Sequence, residues 1–256
     1  MKGVQIFLHS VRQVTANLPA ALRISGVLYL VQFGVAMLFG GAMMGMGMHG
    51  GMNGGMSGAG MGLGALVVFL VALVTAVWIA VAWHRFVLLA EGPSAPVPPL
   101  MQDRMIAYFL RSLVLVVIMI VAGAIIGSIF GILAGGLFMR GPGFIGFLLM
   151  ALLVQLPLIF LGLRLAATLP GAALGKDHGI LAGWEATKSD WQTILQLAAI
   201  LAVAMAVLNL IGLFVFGGLG AGALLWQFVS GWLVMMVGLS ILTTLYGHYI
   251  QKRPLV

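Results

Sequence analysis

Cysteine is absent from the 256 residues. Disulfides, Cys-ligated zinc and thiolate catalysis are thereby excluded, and the missing thiol says nothing of redox compartment. Charge is scarce as well. Twelve Lys/Arg and five Asp/Glu make up 7% of the chain, against about 25% in a soluble domain. That scarcity excludes an ordinary water-soluble globule, and an apolar content of 62% excludes a disordered chain. The five acids (Glu91, Asp103, Asp177, Glu185, Asp190) all fall between the apolar runs, which argues against proton coupling through a bundle. Catalytic signatures are also missing: there is no H-E-x-x-H and no G-x-S-x-G. The expectation is a protein that is not an enzyme.

What is present is long apolar sequence. A spanning helix needs roughly 20 apolar residues, and six runs qualify: Ala21–Gly41, Gly62–Ala90, Ser112–Phe138, Gly143–Ala167, Trp191–Gly217 and Ala221–Gly247. They are too long for the alternating ten-residue strands of a membrane barrel, and helices satisfy every backbone group in lipid. The expected fold is therefore all-α: one polytopic bundle over residues 1–256, with six transmembrane helices arranged as three hairpins. The first apolar run begins behind Lys2, Arg12 and Arg23, too late for a signal-peptide core, so it is read as retained.

Six spans place both termini on one side. That side holds Lys2, Arg12, Arg23, Arg85, Arg104, Arg111, Arg164, Lys176, Lys188, Lys252 and Arg253, and the other holds only Arg140. The positive-inside rule then puts both termini in the cytoplasm. It also explains the net charge of +7 without a nucleic-acid partner. Trp83, Tyr108, Trp184, Trp191, Tyr246 and Tyr249 fall near the same boundary, where aromatic belts are expected.

The cytoplasmic segments have their own patterns. Val4, Phe7, Val11, Val14 and Leu18 step by three and four, which predicts an amphipathic helix over 1–20 lying in the membrane surface. Residues 91–104 contain four prolines and read as an extended linker. Residues 168–190 read as a second amphipathic segment, with Ser189 and Gln192 spaced as a capping box. Arg85 with Pro93, Arg164 with Pro170 and His248 with Pro254 recur about every 80 residues, the spacing of a degenerate threefold repeat or simply of basic helix ends followed by proline. Gly123, Gly127, Gly131 and Gly135, and Ala198, Ala202 and Ala206, recur at intervals of four. Such small-residue faces predict close helix contact, within the chain in preference to between chains.

Two decoys are set aside. Residues 45–50 fit G-x-G-x-x-G but follow a spanning helix and not a strand. Residues 171–177 resemble a phosphate loop one residue short, with Asp177 where Ser or Thr would hold magnesium. Of the five histidines, His84 beside Arg85 at the end of the second span is the most notable, and no nucleophile accompanies it in sequence.

The candidate sites are two. Gln32, Gln155, Asn209 and Gln227 are amides inside spans, where they bond across helices or line a solute path. Pro157, two residues beyond Gln155, should loosen the fourth span. The second site is the Gly/Met-rich outer loop over 42–61. Seven of the 17 methionines lie in residues 43–61. Thioethers are soft neutral ligands that suit Cu(I) or Ag(I), and glycine lets a short chain wrap an ion. Met44, Met46, Met48, His49 and Met52 are the expected ligand set. The alternative is a flexible apolar connector.

The run 82–93, Ala-Trp-His-Arg-Phe-Val-Leu-Leu-Ala-Glu-Gly-Pro, resembles a segment that recurs in a family of bacterial six-span inner-membrane proteins without an assigned activity. The layout of six spans with amphipathic cytoplasmic segments is similar to the membrane domain of glycerophosphoryl diester phosphodiesterases. The resemblance implies a membrane module and carries over no catalytic residue, because the acidic metal site of the phosphodiesterase domain has no counterpart here. Three functional readings follow. The first is a non-enzymatic accessory or scaffold acting through membrane lipid and a membrane-protein partner. The second is a copper-handling membrane protein, and the third a small-solute transporter.

Overall fold

The structure is a computed structural model. It describes the backbone of residues 1–49, 58–92, 95–138, 143–217 and 220–255, and the side chains of these except 40–49, 58–61, 133–138 and 143–152. Among the described residues the regular elements are all helical: α1 (Lys2–Thr15), α2 (Leu18–His49), α3 (Gly58–Leu89), α4 (Gln102–Phe138), α5 (Gly143–Ala166), α6 (Leu169–Leu174), α7 (Ile180–Ala186), α8 (Trp191–Phe214) and α9 (Gly220–Leu245). A 3₁₀ turn over Lys188–Asp190 leads into α8, and a π-helical turn over Tyr246–Ile250 extends α9. Six of the helices (α2, α3, α4, α5, α8 and α9) are long and apolar enough to cross a membrane. The protein is a multi-pass, membrane-embedded helical bundle.

α2 packs along α3, and α4 along α5. α8 lies chiefly against α5 and α1 and touches α9 less. Ala198 and Ala202 are buried, so the alanine face does make close contact. On the glycine face of α4, a Cβ at Gly123 would lie 3.9 Å from Leu158 on α5, and among the described residues nothing lies within 4 Å of that position at Gly127 or Gly131. Pro157 sits inside α5 without ending it.

α1 is a docked element of the core. Its buried positions are Gly3, Ile6, Ser10 and Val14, a face adjacent to the Val4–Phe7–Val11 stripe, which is half-buried. At Gly3 a Cβ would lie 2.8 Å from the Gln196 side chain, so glycine lets α1 reach α8. The Gly3 amide then donates to Gln196 Oε1 at 3.0 Å, Lys2 pairs with Asp190 at 2.6 Å, and Ser10 meets Thr244 of α9 at 3.1 Å. Pro19 in the first turn of α2 costs nothing there, because its missing N–H has no helical partner.

Two further expectations about the charged end are corrected. Residues 169–173 are buried, as α6 packs against α3, α4 and α9, so this part of the 168–190 segment belongs to the core. The residue before α8 is Asp190, without a backbone cap; its carboxylate accepts from Thr193 Oγ1 at 2.6 Å, and no Ser189–Gln192 box forms.

α9 is the central helix. Ile241 and Leu245 pack with Ile6, Leu163 and Ile194; Met236 packs with Ile24, Ile79 and Trp83; Leu239 and Leu242 border the cluster of Ala80, Tyr108 and Leu169. The buried apolar side chains lie almost wholly in the halves of the helices nearest the basic residues: Ala21–Tyr29, Val77–Leu88, Leu163–Ala173, Ile194–Ala202 and Met236–Tyr249. The outer face of α4 is apolar and exposed from Ile106 through Ile132. Among the described residues, packing is thus tight at the basic end and looser toward the other.

Candidate functional site

The basic end is held by a polar network that reaches across helices. His84 is fully buried, with Nδ1 2.8 Å from Thr243 Oγ1 and Nε2 3.3 Å from the Tyr108 hydroxyl. Trp83 Nε1 donates to Ser240 Oγ at 2.9 Å, and Trp232 Nε1 donates to Ser25 Oγ at 2.8 Å. Ser25 and Thr243 also donate to the carbonyl four residues earlier in their own helices, so each hydroxyl both donates and accepts. Tyr249 and Lys2 converge on Asp190 Oδ2 at 2.8 and 2.6 Å.

Arginines close the same end. Ala90, with φ at 56°, turns the chain after α3 so that Glu91 folds back onto Arg85. Nε and Nη2 meet the two carboxylate oxygens at 2.8 and 2.6 Å, while Nη1 donates to the Ala173 carbonyl at 3.1 Å. Arg164 is buried at the end of α5. It donates to Thr187 Oγ1 at 3.0 Å and to the Trp184 carbonyl at 2.8 Å, and its guanidinium stacks 3.5 Å from the Trp184 ring. Arg111 pairs with Asp177. His248 Nδ1 meets the Arg253 carbonyl at 3.0 Å. The three anchors spaced about 80 residues apart therefore make unlike contacts.

Four of the six aromatics expected to line the membrane boundary, Trp83, Tyr108, Tyr246 and Tyr249, are buried and hydrogen-bonded instead. Of the six, Trp191 is the one that is exposed. Their apolar rings fit the packed end, and each polar tip finds a partner on another element.

The candidate site is a groove between α8 and α9 in the open half. Asn209 and Gln227 are both exposed and line one cavity of about 580 Å³ together with Ser230, Gly212 and Trp226. Trp226 spans the helices at its edge: Nε1 donates to the Leu208 carbonyl at 3.1 Å, and the ring stacks on Phe216 at 5.3 Å. Gly212 admits that indole, since a Cβ there would lie 3.0 Å from Trp226 Cδ1. Gln155 lines a neighbouring cavity of about 330 Å³ that is otherwise apolar, bounded by α1, α5, α8 and α9. The two cavities share Met205, Leu208 and Val234. Gln32 stands apart and accepts from Thr75 Oγ1 at 3.2 Å. Three of the four amides expected inside spans thus line one or other of two adjacent cavities.

The methionine-rich segment is not an irregular loop over its whole length. α2 continues through His49 and α3 begins at Gly58. A helical backbone sets Met44 and Met48 one turn apart and Met46 on the opposite side of the axis. Their side chains, that of His49, and all of Met52 lie outside the described residues. Among the described residues no cluster of three His, Asp or Glu has metal-ligand spacing.

Sequence missed the extent of the cross-helix network. Its signal was a hydroxyl or indole in nearly every span, each unremarkable singly. A comparison with protein-family models, curated proteins and solved structures finds no match to this chain.

Proposed function

We propose that the protein is a non-enzymatic, multi-pass protein of the bacterial inner membrane, with both termini cytoplasmic, acting as an accessory or scaffold through lipid and membrane-protein contacts. The observation that carries this reading is the pair Asn209 and Gln227, exposed on neighbouring helices and lining the same groove. An amide facing hydrocarbon is costly without a partner, and amides bond across helices in membranes. A partner helix with a polar side chain satisfies both. The eleven-to-one distribution of Lys/Arg supports the orientation.

The test is a photo-crosslinking residue in place of Gln227, read by mass spectrometry from native membranes. The expected product is a discrete protein adduct that disappears when Asn209→Leu is added. Adducts to lipid alone, insensitive to Asn209→Leu, contradict the reading.

The adjacency of the Asn209–Gln227 and Gln155 cavities, which share three lining residues, favours a second reading, a small-solute pathway along α8 and α9. Uptake of a solute into proteoliposomes that is abolished by Gln155→Leu would select it over the scaffold.

A further inference from the structure

After the π-helical turn Tyr246–Ile250, the chain doubles back at Lys252, where φ is 58°. The Arg253 amide donates to the Gly247 carbonyl at 2.8 Å. This fold-back brings Arg253 beside Lys176 and His178 at the rim of an open cavity of about 370 Å³, lined also by Tyr246, Ile250 and Gln251. The cavity is distinct from the α8–α9 groove and shares no residue with it.

The lining is built on α6 and α9. At Gly171 a Cβ would lie 2.7 Å from His178 Cδ2 and 3.1 Å from Tyr246 Cε2. Glycine therefore lets both rings close on α6, with His178 Nε2 3.0 Å from the Tyr246 hydroxyl. No carboxylate lines the cavity. Asp177 is turned to Arg111, and the Lys176 ammonium has no hydrogen-bond or ion-pair partner among the described residues. Arg253 uses Nη2 on the Leu88 carbonyl at 3.1 Å and has donors left over. The half-buried Gln251 side chain bonds to Tyr246 and closes one wall of the cavity.

The free donors therefore ask for an anion at Lys176 and Arg253. We propose that this cavity binds a phosphate ester, with its phosphate held by Lys176 and Arg253. A phospholipid headgroup has this chemistry, and the cavity lies at the basic end of the spans, where headgroups sit. A soluble glycerol phosphate has the same chemistry.

The test uses the full chain, delipidated in neutral detergent. Its affinity is measured by native mass spectrometry for short-chain phosphatidylglycerol, for phosphatidylcholine and for glycerol 3-phosphate. Phosphatidylcholine has the phosphate but neither net charge nor donor. The expected result is roughly tenfold tighter binding of phosphatidylglycerol than of phosphatidylcholine, the scale of one charge-assisted hydrogen bond. Lys176→Gln should remove most of that preference; its side chain is exposed and unbonded, so the fold is not at risk. Binding of glycerol 3-phosphate as tightly as the lipid assigns the site to a soluble ester, and binding of the lipid alone assigns it to the membrane. Equal binding of the two lipids, or a preference untouched by Lys176→Gln, overturns the proposal and leaves the α8–α9 reading as it stands.

Discussion

Arg164 shows how a single charge is kept inside an apolar end. It donates to Thr187 and to the Trp184 carbonyl, and its flat face covers the Trp184 ring. Hydrogen bonds to a charged group contribute about 1.5–3 kcal/mol each, so Arg164→Ala should destabilise the protein by on the order of 3 kcal/mol, read as a lower unfolding temperature in detergent. Arg164→Lys should recover only part of this, because an ammonium cannot both fork and stack. Full recovery with lysine would mean that charge alone matters. This role was not legible in sequence. The basic residue at a span end was visible, but its partners lie 20 and 23 positions away, and the positive-inside pattern accounts equally well for an exposed arginine. Trp83 misled for a related reason. An indole suits a wet boundary and a packed helix contact alike, and only the facing hydroxyl of Ser240 decides between them.

The elements themselves were easier to read. Six spans and a helix over the first residues follow from apolar runs and periodicity; most bounds agree with α1, α2, α3, α4, α5, α8 and α9 closely, but α2 runs on to His49 past Gly41 and α4 begins at Gln102, well ahead of Ser112. Their mutual packing was less accessible. Gly3, Gly123, Gly127 and Gly183 look alike in sequence, yet a Cβ would lie 2.8 Å from Gln196 at Gly3, 2.4 Å from the Arg164 carbonyl at Gly183, and near nothing at Gly127. Gly183→Ala should therefore prevent α7 from closing over α5 and sharply lower stability, whereas Gly127→Leu should leave the unfolding temperature of the isolated protein unchanged. The reverse order of effects would refute the packing. Ile6→Ala, in a fully buried position of α1, should cost about 2–5 kcal/mol and expose the helix to cleavage at Arg12. Resistance to protease equal to the parent's would show that α1 is held without this contact. The methionine-rich segment raises a question of register. If it holds Cu(I) on the helical backbone of α2, Met44/Met48→Leu should weaken binding against a calibrated Cu(I) chelator more than Met46→Leu. No binding by the parent would dismiss the metal reading.

At the scale of the whole molecule, one asymmetry organises the rest. Among the described residues the basic end contains most of the buried side chains, the ion pairs and the bonds of His84 and Trp83 across helices. The other half offers apolar helix faces and a groove with two amides. A membrane explains this division, since the exposed faces of α4 and the open half match hydrocarbon while the charged end meets headgroups and water. The account's central claim is that the packed, charged end faces the cytoplasm. The chain has no cysteine, so single cysteines can report it without background. Ser189, exposed before α8, marks the basic end, and Ala221, exposed at the start of α9, marks the other. In intact spheroplasts, Ala221→Cys should react with a membrane-impermeant thiol reagent, and Ser189→Cys should react only after permeabilisation. Labelling of Ser189→Cys in sealed spheroplasts with Ala221→Cys protected would contradict the account.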